Sequence, residues 1–303
     1  MPDVRADVEL VRRGLARSRR QAAELVAAGR VHLAGRTVAK PSAQVPAGAT
    51  LEVAHDPDDP GFASRAGGKL AGALAALAAH PVGRALVDAL PGAACLDLGA
   101  STGGFTDVLL RHGAAHVVAL DVGHDQIVPS LRSDPRVDVV EGFNVRDLTP
   151  GTLDAAPDVV VGDLSFISLT LVVRPLASVL GARSHVLLLV KPQFEVGRER
   201  LGSGGVVRDP GLRADSVRTV VRAGADAGWR PVALVPSPVP GPSGNTEYFC
   251  WFVVGDHGEE PATGDDAVAA AAREAVAWSP PADGTQPGTV PAVPPVLPIG
   301  GAP

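Results

Sequence analysis

Cysteine is scarce in this chain of 303 residues, and no long apolar run is present. Its two cysteines, Cys95 and Cys250, both lie in apolar stretches, which excludes a disulfide framework and indicates buried thiols in a reducing compartment. No stretch approaches the roughly 20 apolar residues that a membrane span requires. The amino terminus is charged and lacks the apolar core of a signal peptide. We therefore expect a cytoplasmic protein that does not enter a membrane.

Lysine is the other scarce residue. Of 27 cationic residues only three are lysines, Lys40, Lys69 and Lys191, and all the others are arginines. Lysine differs from arginine because it presents a compact point charge and is able to lose its proton. In a chain so rich in arginine, each lysine marks a position where arginine would not serve. All three are therefore candidate functional residues.

A net charge of −6 argues against a nucleic-acid-binding protein until its distribution is considered. Residues 1–40 hold nine Lys/Arg and four Asp/Glu, whereas residues 256–303 hold one arginine and seven acids. A basic segment ahead of an acidic remainder indicates a module that meets an anionic polymer. The alternative is a solvated arginine face without a ligand.

The basic segment has the pattern of a compact module. Residues 10–15 and 19–28 have helical spacing, Ser18 is the expected N-cap of the second helix, and residues 31–38 alternate as a small hairpin. From Gly14 to Ser42 the pattern resembles the S4-type RNA-binding domain, over about residues 5–52. This resemblance implies that four cationic residues face RNA phosphates: Arg17, Arg19, Arg20 and Lys40.

Residues 65–255 alternate strands and helices. Strands are predicted at 94–98, 116–121, 137–140, 158–162, 185–190, 231–235 and 247–254. This alternation predicts a Rossmann-like α/β sheet that is mostly parallel. No helix separates the last two strands, which predicts an antiparallel hairpin at the edge of the sheet.

The first of these strands leads into a glycine turn and a helix, as in nucleotide-binding sheets. Asp97 lies inside the strand, where it would repel a pyrophosphate but would suit a cationic ligand, and the turn lacks the Gly-x-Gly-x-x-Gly pattern. S-adenosylmethionine is therefore the expected cofactor, with NAD as the alternative. Asp121 is expected at the ribose hydroxyls, and Asn144 and Asp147 at the adenine. The candidate cofactor residues are Asp97, Gly99, Ser101, Thr102, Gly103, Gly104, Phe105, Asp121, Asn144, Asp147 and Asp163.

Charged residues stand at three strand ends and on the helix before the sheet. Asp163 and Lys191 follow neighbouring strands, Glu247 begins the antiparallel strand, and Lys69 lies on the preceding helix. The carboxyl ends of parallel strands meet at one edge, so these four should form a ring of alternating charge. An ordinary salt-bridge network is the alternative. No residues are assigned to a metal.

Several motifs together resemble the TlyA family, whose methyltransferase domain is similar to FtsJ/RrmJ ribose 2′-O-methyltransferases. They are Ser64–Leu70, Asp97–Phe105, Gly162–Phe166, Val190–Glu195, Gly205–Asp209 and Gly244–Glu247. The resemblance covers about residues 5–254. It implies that Lys69, Asp163, Lys191 and Glu247 are the catalytic tetrad and that the substrate is cytidine in ribosomal RNA. We also expect Arg65 to contact the RNA.

The sequence leaves two features of the expected chemistry open. Lys191 either loses its proton and acts as a base or stays charged and orients the ribose hydroxyl. The glycine-rich stretch 197–209 is either a lid over the RNA or a plain surface loop.

These observations predict four parts: an S4-type RNA-binding domain (1–55), a linker (56–64), a methyltransferase domain (65–255) and an acidic tail (256–303) rich in proline and alanine. The pattern of the tail allows one short helix at 265–278, and the rest is expected to be disordered. The expected partners are ribosomal RNA or ribosomal subunits, with no obligate protein partner. The rival functions are a membrane-acting hemolysin, a cofactor-binding RNA-binding protein without catalysis, and a methyltransferase for small molecules.

Overall fold

The computed structural model describes residues 3–16, 19–54, 60–255, 264–279 and 293–299, and at Arg20, Arg198 and Ser203 it describes the backbone alone. The chain divides into two compact units, residues 1–61 and residues 62–303. The predicted linker spans this division, and its residues 56–59 lie outside the described part. The predicted N-cap Ser18 also lies outside it.

The first unit is a small α+β module. Its core is formed by residues such as Leu10, Val26 and Val31. The first helix begins four residues earlier than predicted and ends at Arg12, because Gly14 has φ +71° and cannot continue a helix. The elements of this unit are β1 (Val4–Arg5), α1 (Ala6–Arg12), α2 (Arg19–Ala27), β2 (Val31–Leu33), β3 (Arg36–Thr37), β4 (Gln44–Val45) and β5 (Leu51–Val53).

The second unit alternates strands and helices, as the spacing of apolar residues predicts. Its elements up to the carboxyl end of the fourth parallel strand are α3 (Arg65–Ala79), α4 (Arg84–Asp88), β6 (Ala94–Leu98), α5 (Gly104–Arg111), β7 (His116–Leu120), α6 (Pro129–Arg132), β8 (Val137–Val140) and β9 (Val159–Gly162). The elements that follow are α7 (Thr170–Ala177), β10 (His185–Val190), α8 (Pro192–Glu195), α9 (Pro210–Asp226), β11 (Trp229–Pro236), β12 (Tyr248–Val254), α10 (Asp265–Ala277) and β13 (Leu297–Pro298).

Within the described residues these strands form one sheet in the order β13-β11-β12-β10-β9-β6-β7-β8. The strands from β10 to β8 are parallel, and β12 is antiparallel to both β10 and β11. The predicted mostly parallel α/β sheet is confirmed. The predicted hairpin at the edge is only partly right, because β12 lies inside the sheet and β13 covers β11.

Helices on both faces explain why the central strands are apolar throughout. Along β10, Val186, Leu188 and Val190 pack into one core, whereas Leu187 and Leu189 pack into the core on the other face. Each strand is therefore anchored on two sides. Side chains that follow the strand ends are held on this rigid sheet.

The short helix that the sequence allows at 265–278 is present as α10, whereas the prediction of disorder is wrong for residues 293–299. Helix α10 packs against α9 and buries Val268, Ala272 and Val276 in the core of that face. Strand β13 pairs with Ala233 and Leu234 of β11, and the Ile299 N–H donates to the Val232 carbonyl at 2.8 Å. The small alanine side chains of α10 allow the two helices to approach closely.

Among the described residues, no single helix has the length and apolar character needed to cross a membrane. The pair formed by residues 65–79 and 81–88 reaches that length and composition together, but it is bent by 114°.

Candidate active site

The four candidate catalytic residues meet at the edge of the sheet where the parallel strands end. Asp163 directly follows β9 and Lys191 directly follows β10. Glu247 directly precedes β12, whose first residue pairs with the last residue of β10, so Glu247 lies at the same edge. Lys69 reaches this edge from the first turns of α3.

Lys69 and Glu247 form a buried ion pair. Lys69 Nζ lies 2.7 Å from Glu247 Oε2 and 3.7 Å from Asp163 Oδ2. The residues are 5% and 1% exposed, so neither charge is accessible to water. Gln193 Nε2 donates to the other oxygen, Glu247 Oε1, at 3.2 Å. Glu247 is thereby fixed from two sides, as a buried carboxylate requires.

The backbone before Glu247 must approach its carboxylate closely. A β-carbon at Gly241 would lie 2.5 Å from Glu247 Oε1, closer than any side chain allows. Gly241 N–H donates to the Asn245 carbonyl at 2.9 Å and closes the turn. The connection between β11 and β12 therefore forms a wall of the site.

Lys191 is held by oxygens on three sides. Its Nζ donates to Ser165 Oγ at 2.7 Å and to the Asp163 carbonyl at 3.4 Å. It also lies 2.7 Å from Asp163 Oδ1, but off the direction of a hydrogen bond, so that contact is an ion pair. Lys191 is 7% exposed, whereas Ser165 is exposed at the mouth of the site. Two lysines and two carboxylates thus alternate in the order Lys191, Asp163, Lys69 and Glu247, as an open ring in which no ion pair joins Lys191 to Glu247.

Phe166 is a feature of this site that sequence reasoning missed. It is 91% exposed, and its φ of +64° is strained for an aromatic residue. Its ring lies 5.2 Å from the ring of Phe194, which in turn lies 5.9 Å from Lys191 Nζ. An exposed aromatic ring on a strained backbone indicates a ligand-binding role. Its place directly after Asp163-Leu164-Ser165 was the available signal.

Asp97, near the carboxyl end of β6, is fully buried. Its Oδ2 accepts a hydrogen bond from Thr106 Oγ1 at 2.7 Å, while no group among the described residues donates to its Oδ1. Burial raises the pKa of Asp97 to about 7, and the charges of Asp163 and Asp121 add to this effect. A buried oxygen without a donor suits a cationic ligand that brings its own N–H groups.

Asp121, which follows β7, fixes the glycine turn. Its Oδ2 accepts the Ser101 N–H at 2.8 Å, and its Oδ1 accepts the Gly123 N–H at 2.6 Å. Ser101 has φ +48° and Gly103 has φ +92°, so the turn is tight. A β-carbon at Gly103 would lie 2.3 Å from Leu131. Both Asp121 oxygens keep lone pairs for a further donor.

The other candidate cofactor residues lie in or near this turn and differ in their exposure to solvent. Gly104 and Phe105 begin α5, and the ring of Phe105 packs on Phe249 in the core, so only its backbone is left for a ligand. Asn144 Oδ1 accepts from the Arg146 N–H at 3.1 Å and caps a turn after β8. Asp147 ends that turn and is exposed; Gly99 and Thr102 belong to the glycine turn itself.

The candidate RNA-binding residues lie in both units. Arg17 is outside the described residues, and the side chain of Arg20 is not described. Arg19 pairs with Asp7 at 2.9 Å, and Lys40 is exposed. In the second unit the exposed Arg65 donates to the Pro240 carbonyl at 2.6 Å.

The strand order, the glycine turn and a buried acid suited to a cation together define an S-adenosylmethionine-dependent methyltransferase. The model of the FtsJ-like methyltransferases matches residues 62–253, and the model of the S4 domain matches residues 4–51. The chain belongs to the TlyA family of FtsJ-like methyltransferases, as its motifs predict. Its cofactor is accordingly S-adenosylmethionine rather than NAD.

Known relatives span nearly the whole chain. Over 248 residues the chain is 52% identical to the 16S/23S rRNA (cytidine-2′-O)-methyltransferase TlyA of Mycobacterium tuberculosis strain H37Rv, covering 82% of this chain and 89% of that protein. It is 36% identical over 252 residues to Hemolysin A of Brachyspira hyodysenteriae, covering 83% and 100%. The solved structure of a protein labelled as a hemolysin from Streptococcus thermophilus is 35% identical with a TM-score of 0.67, covering 91% and 96%.

Proposed function

We propose that this enzyme transfers a methyl group from S-adenosylmethionine to a ribose 2′-hydroxyl of cytidine in ribosomal RNA. The observation that carries the proposal is the open ring of alternating charge formed by Lys69, Asp163, Lys191 and Glu247 beside the cofactor turn, which we call the catalytic ring. The activity named for the Mycobacterium tuberculosis relative and the S4 domain at residues 4–51 support the same substrate. Methylation of ribosomal RNA would take place in the cytoplasm, on the RNA or on ribosomal subunits, with no obligate protein partner.

Lys191 is the residue we expect to contact the ribose hydroxyl. An ammonium has three N–H donors and no acceptor, and the three contacts of Lys191 Nζ are all with oxygens. This geometry supports the version in which Lys191 stays charged and orients the hydroxyl oxygen. Ser165 is the exposed partner of the three, so the substrate oxygen would share or take its place.

Asp163, Lys69 and Glu247 would hold Lys191 in position. Asp163 faces both lysines, and the buried Lys69–Glu247 pair fixes its second oxygen. Positioning of this kind is worth several powers of ten in rate when the reacting atoms are held in line. The four residues would therefore contribute mainly by positioning the reacting atoms and to a smaller extent by proton transfer.

The cofactor residues fit S-adenosylmethionine, which supplies an electrophilic methyl group on a sulfonium. Asp97 would accept from its ammonium through the oxygen that has no donor. Asp121 would bind the ribose hydroxyls while it holds Ser101. Asn144 and Asp147 would bind the adenine, and the backbone from Gly99 to Phe105 would line the turn.

The proposal places RNA contacts at Arg17, Arg19, Arg20 and Lys40 in the S4 domain and at Arg65 beside the catalytic ring. Asp7 pairs with the Arg19 guanidinium at 2.9 Å, so Arg19 would bind a phosphate through the donors that Asp7 leaves free. Phe166 offers its exposed ring to the base of the target nucleotide, because stacking needs an accessible aromatic face.

Two measurements test the proposal. The first maps ribose methylation in the host's ribosomal RNA with and without this protein, and we expect cytidine sites that depend on it. The second follows labelled methyl transfer from S-adenosylmethionine to purified ribosomal subunits, with Lys191→Ala as the inactive control. Transfer would exclude an RNA-binding protein without catalysis. A host RNA with unchanged methylation at every site would contradict the proposal, and leakage from liposomes would favour the hemolysin.

A further inference from the structure

Asn245 ties the glycine-rich loop to the catalytic ring. Its Oδ1 accepts the Val207 N–H at 2.9 Å, and its Nδ2 donates to the Gly205 carbonyl at 2.9 Å. Asn245 is 2% exposed, so water does not compete for these bonds. One buried amide thereby fixes both a donor and an acceptor of the loop, two residues before Glu247.

Arg208 directly follows Val207, which Asn245 binds, and it has a fixed backbone and a free side chain. Val207 on one side is buried, and Asp209 on the other side caps α9 by accepting the Gly211 N–H at 2.7 Å. The Arg208 carbonyl accepts from Arg213 Nη2 at 3.4 Å. Its own guanidinium is exposed and makes no hydrogen bond or ion pair with any described residue.

Some exposed arginines of this unit pair with a carboxylate of the described residues, and Arg208 does not. Arg111 pairs with Asp107 at 2.8 Å, Arg136 with Asp134 at 2.7 Å, and Arg222 with Asp265 at 3.1 Å. The acid beside Arg208 is Asp209, whose Oδ1 is engaged in the helix cap. Arg208 therefore keeps its full charge and its fork of five donors, which matches the oxygens of a phosphate.

Arg208 is connected to the catalytic ring by a short path of bonded residues. The path from its Cα through Val207 and the Asn245 side chain to Glu247 gives a separation of at most roughly 20 Å. The same connection between β11 and β12 holds Arg65 through the Pro240 carbonyl at 2.6 Å. Two exposed guanidinium groups are thus attached to one wall of the site.

We propose that Arg208 binds a backbone phosphate of the RNA near the target ribose and that Asn245 is the positioning residue that holds it there. The inference rests on the proposed function, since it takes RNA as the substrate. It assigns the glycine-rich stretch a role in holding RNA, through a fixed arginine rather than through a closing lid.

The test measures the binding of the full chain to a fluorescein-labelled ribosomal RNA transcript over a range of salt concentrations. Arg208→Gln should weaken binding about 3- to 10-fold and lower the slope of log affinity against log salt by about 0.7 to 0.9, the value for one phosphate contact. Arg208→Lys should recover most of the slope. The matched control is Arg183→Gln, because Arg183 is equally exposed, contacts no described side chain and precedes β10 at the opposite edge.

The role of Asn245 is tested by a double-mutant cycle. Asn245→Asp keeps the acceptor for Val207 but loses the donor to Gly205, so it should reproduce much of the effect of Arg208→Gln on the salt slope. The double variant should lose less than the sum of the two single losses. Additive losses would overturn the positioning role.

Failure of this inference can be told apart from failure of the proposed function. An unchanged salt slope for Arg208→Gln overturns the phosphate contact, whether or not the wild-type enzyme transfers methyl groups. A reduced slope supports the contact even if methyl transfer to ribosomal subunits were absent, a result that would contradict only the proposed reaction.

Discussion

Replacing Asp97 by asparagine should stabilise the protein while it removes cofactor binding. The wild-type carboxyl is fully buried and has only Thr106 as a donor. Asparagine has nearly the same shape and keeps an oxygen for Thr106, but it carries no charge to bury. The buried carboxylate destabilises the free enzyme and is needed to bind the cofactor. Its removal should therefore raise stability and abolish binding at the same time.

The magnitude follows from the pKa of Asp97, which burial raises from 3.8 to about 7. Between these two pH values the unfolded chain has lost the proton while the folded protein keeps it, so wild-type stability falls as the pH rises through this window. Three pKa units correspond to about 4 kcal/mol. Asp97→Asn should thus exceed the wild type by about 2 kcal/mol at pH 5 and about 4 kcal/mol at pH 8.

The assay is urea unfolding of both proteins at pH 5 and pH 8, without cofactor. The control is Asp154→Asn, an exposed loop acid with no contact among the described residues, which should change stability little at either pH. Calorimetry should find no S-adenosylmethionine binding to Asp97→Asn. In the wild type, the affinity for the cofactor should fall about tenfold per pH unit below about 7, because protonated Asp97 does not attract a cation.

Two results would refute this reasoning. A difference in unfolding free energy that is the same at pH 5 and pH 8 would mean that Asp97 has an ordinary pKa. Wild-type affinity for S-adenosylmethionine in the asparagine variant would mean that the free oxygen of Asp97 does not hold the cofactor.

Three further predictions concern the catalytic ring and the exposed ring beside it. Lys191→Ala and Lys191→Arg should both abolish methyl transfer to ribosomal subunits without unfolding the protein, because neither a methyl group nor a wider guanidinium takes the place of an ammonium among three oxygens. Full activity of the arginine variant would exclude deprotonation. Glu247→Gln leaves the buried Lys69 with only the more distant Asp163 carboxylate, which Lys191 shares, so the unfolding free energy should fall by about 3 kcal/mol, and a fall below 1 kcal/mol would contradict a buried pair. Phe166→Gly relieves φ +64° and should leave stability equal or up to about 1 kcal/mol higher. It should also raise the KM for RNA at least fivefold, because a stacked base is worth about 1 to 3 kcal/mol, and an unchanged KM would exclude stacking.

The meeting of these four charged residues was predictable because simple geometry governs it. Asp163 and Lys191 follow neighbouring parallel strands, and such residues meet at one edge of any sheet of this class. Glu247 joined them because a strand that runs the other way begins where they end. Charge at strand ends was therefore a sufficient signal. The mutual distances, and the burial that makes Lys69 and Glu247 a closed pair, came only with the structure.

The loop contacts around the ring were not predictable in the same way. Asn245 binds Gly205 and Val207 across some 40 residues of sequence, and no periodicity connects a side-chain amide to a distant backbone. Phe166 belongs to a motif that was visible in the sequence, but its positive φ and its exposure depend on how the loop leaves β9. Such contacts arise from tertiary placement, which hydrophobic patterns do not encode.

The carboxyl-terminal segment shows most clearly how composition can mislead. Without β13, the outer backbone groups of Ala233 and Leu234 in β11 would lie open at the edge of the sheet, a liability for pairing with other chains. Two residues of extended backbone satisfy them, and the buried side chains of Leu297 and Ile299 anchor the strand in the core. Backbone pairing requires no particular composition, so a segment rich in proline and alanine can supply it. Short apolar islands such as residues 296–299, rather than the average composition around them, are the signal that predicts where a segment of this kind docks.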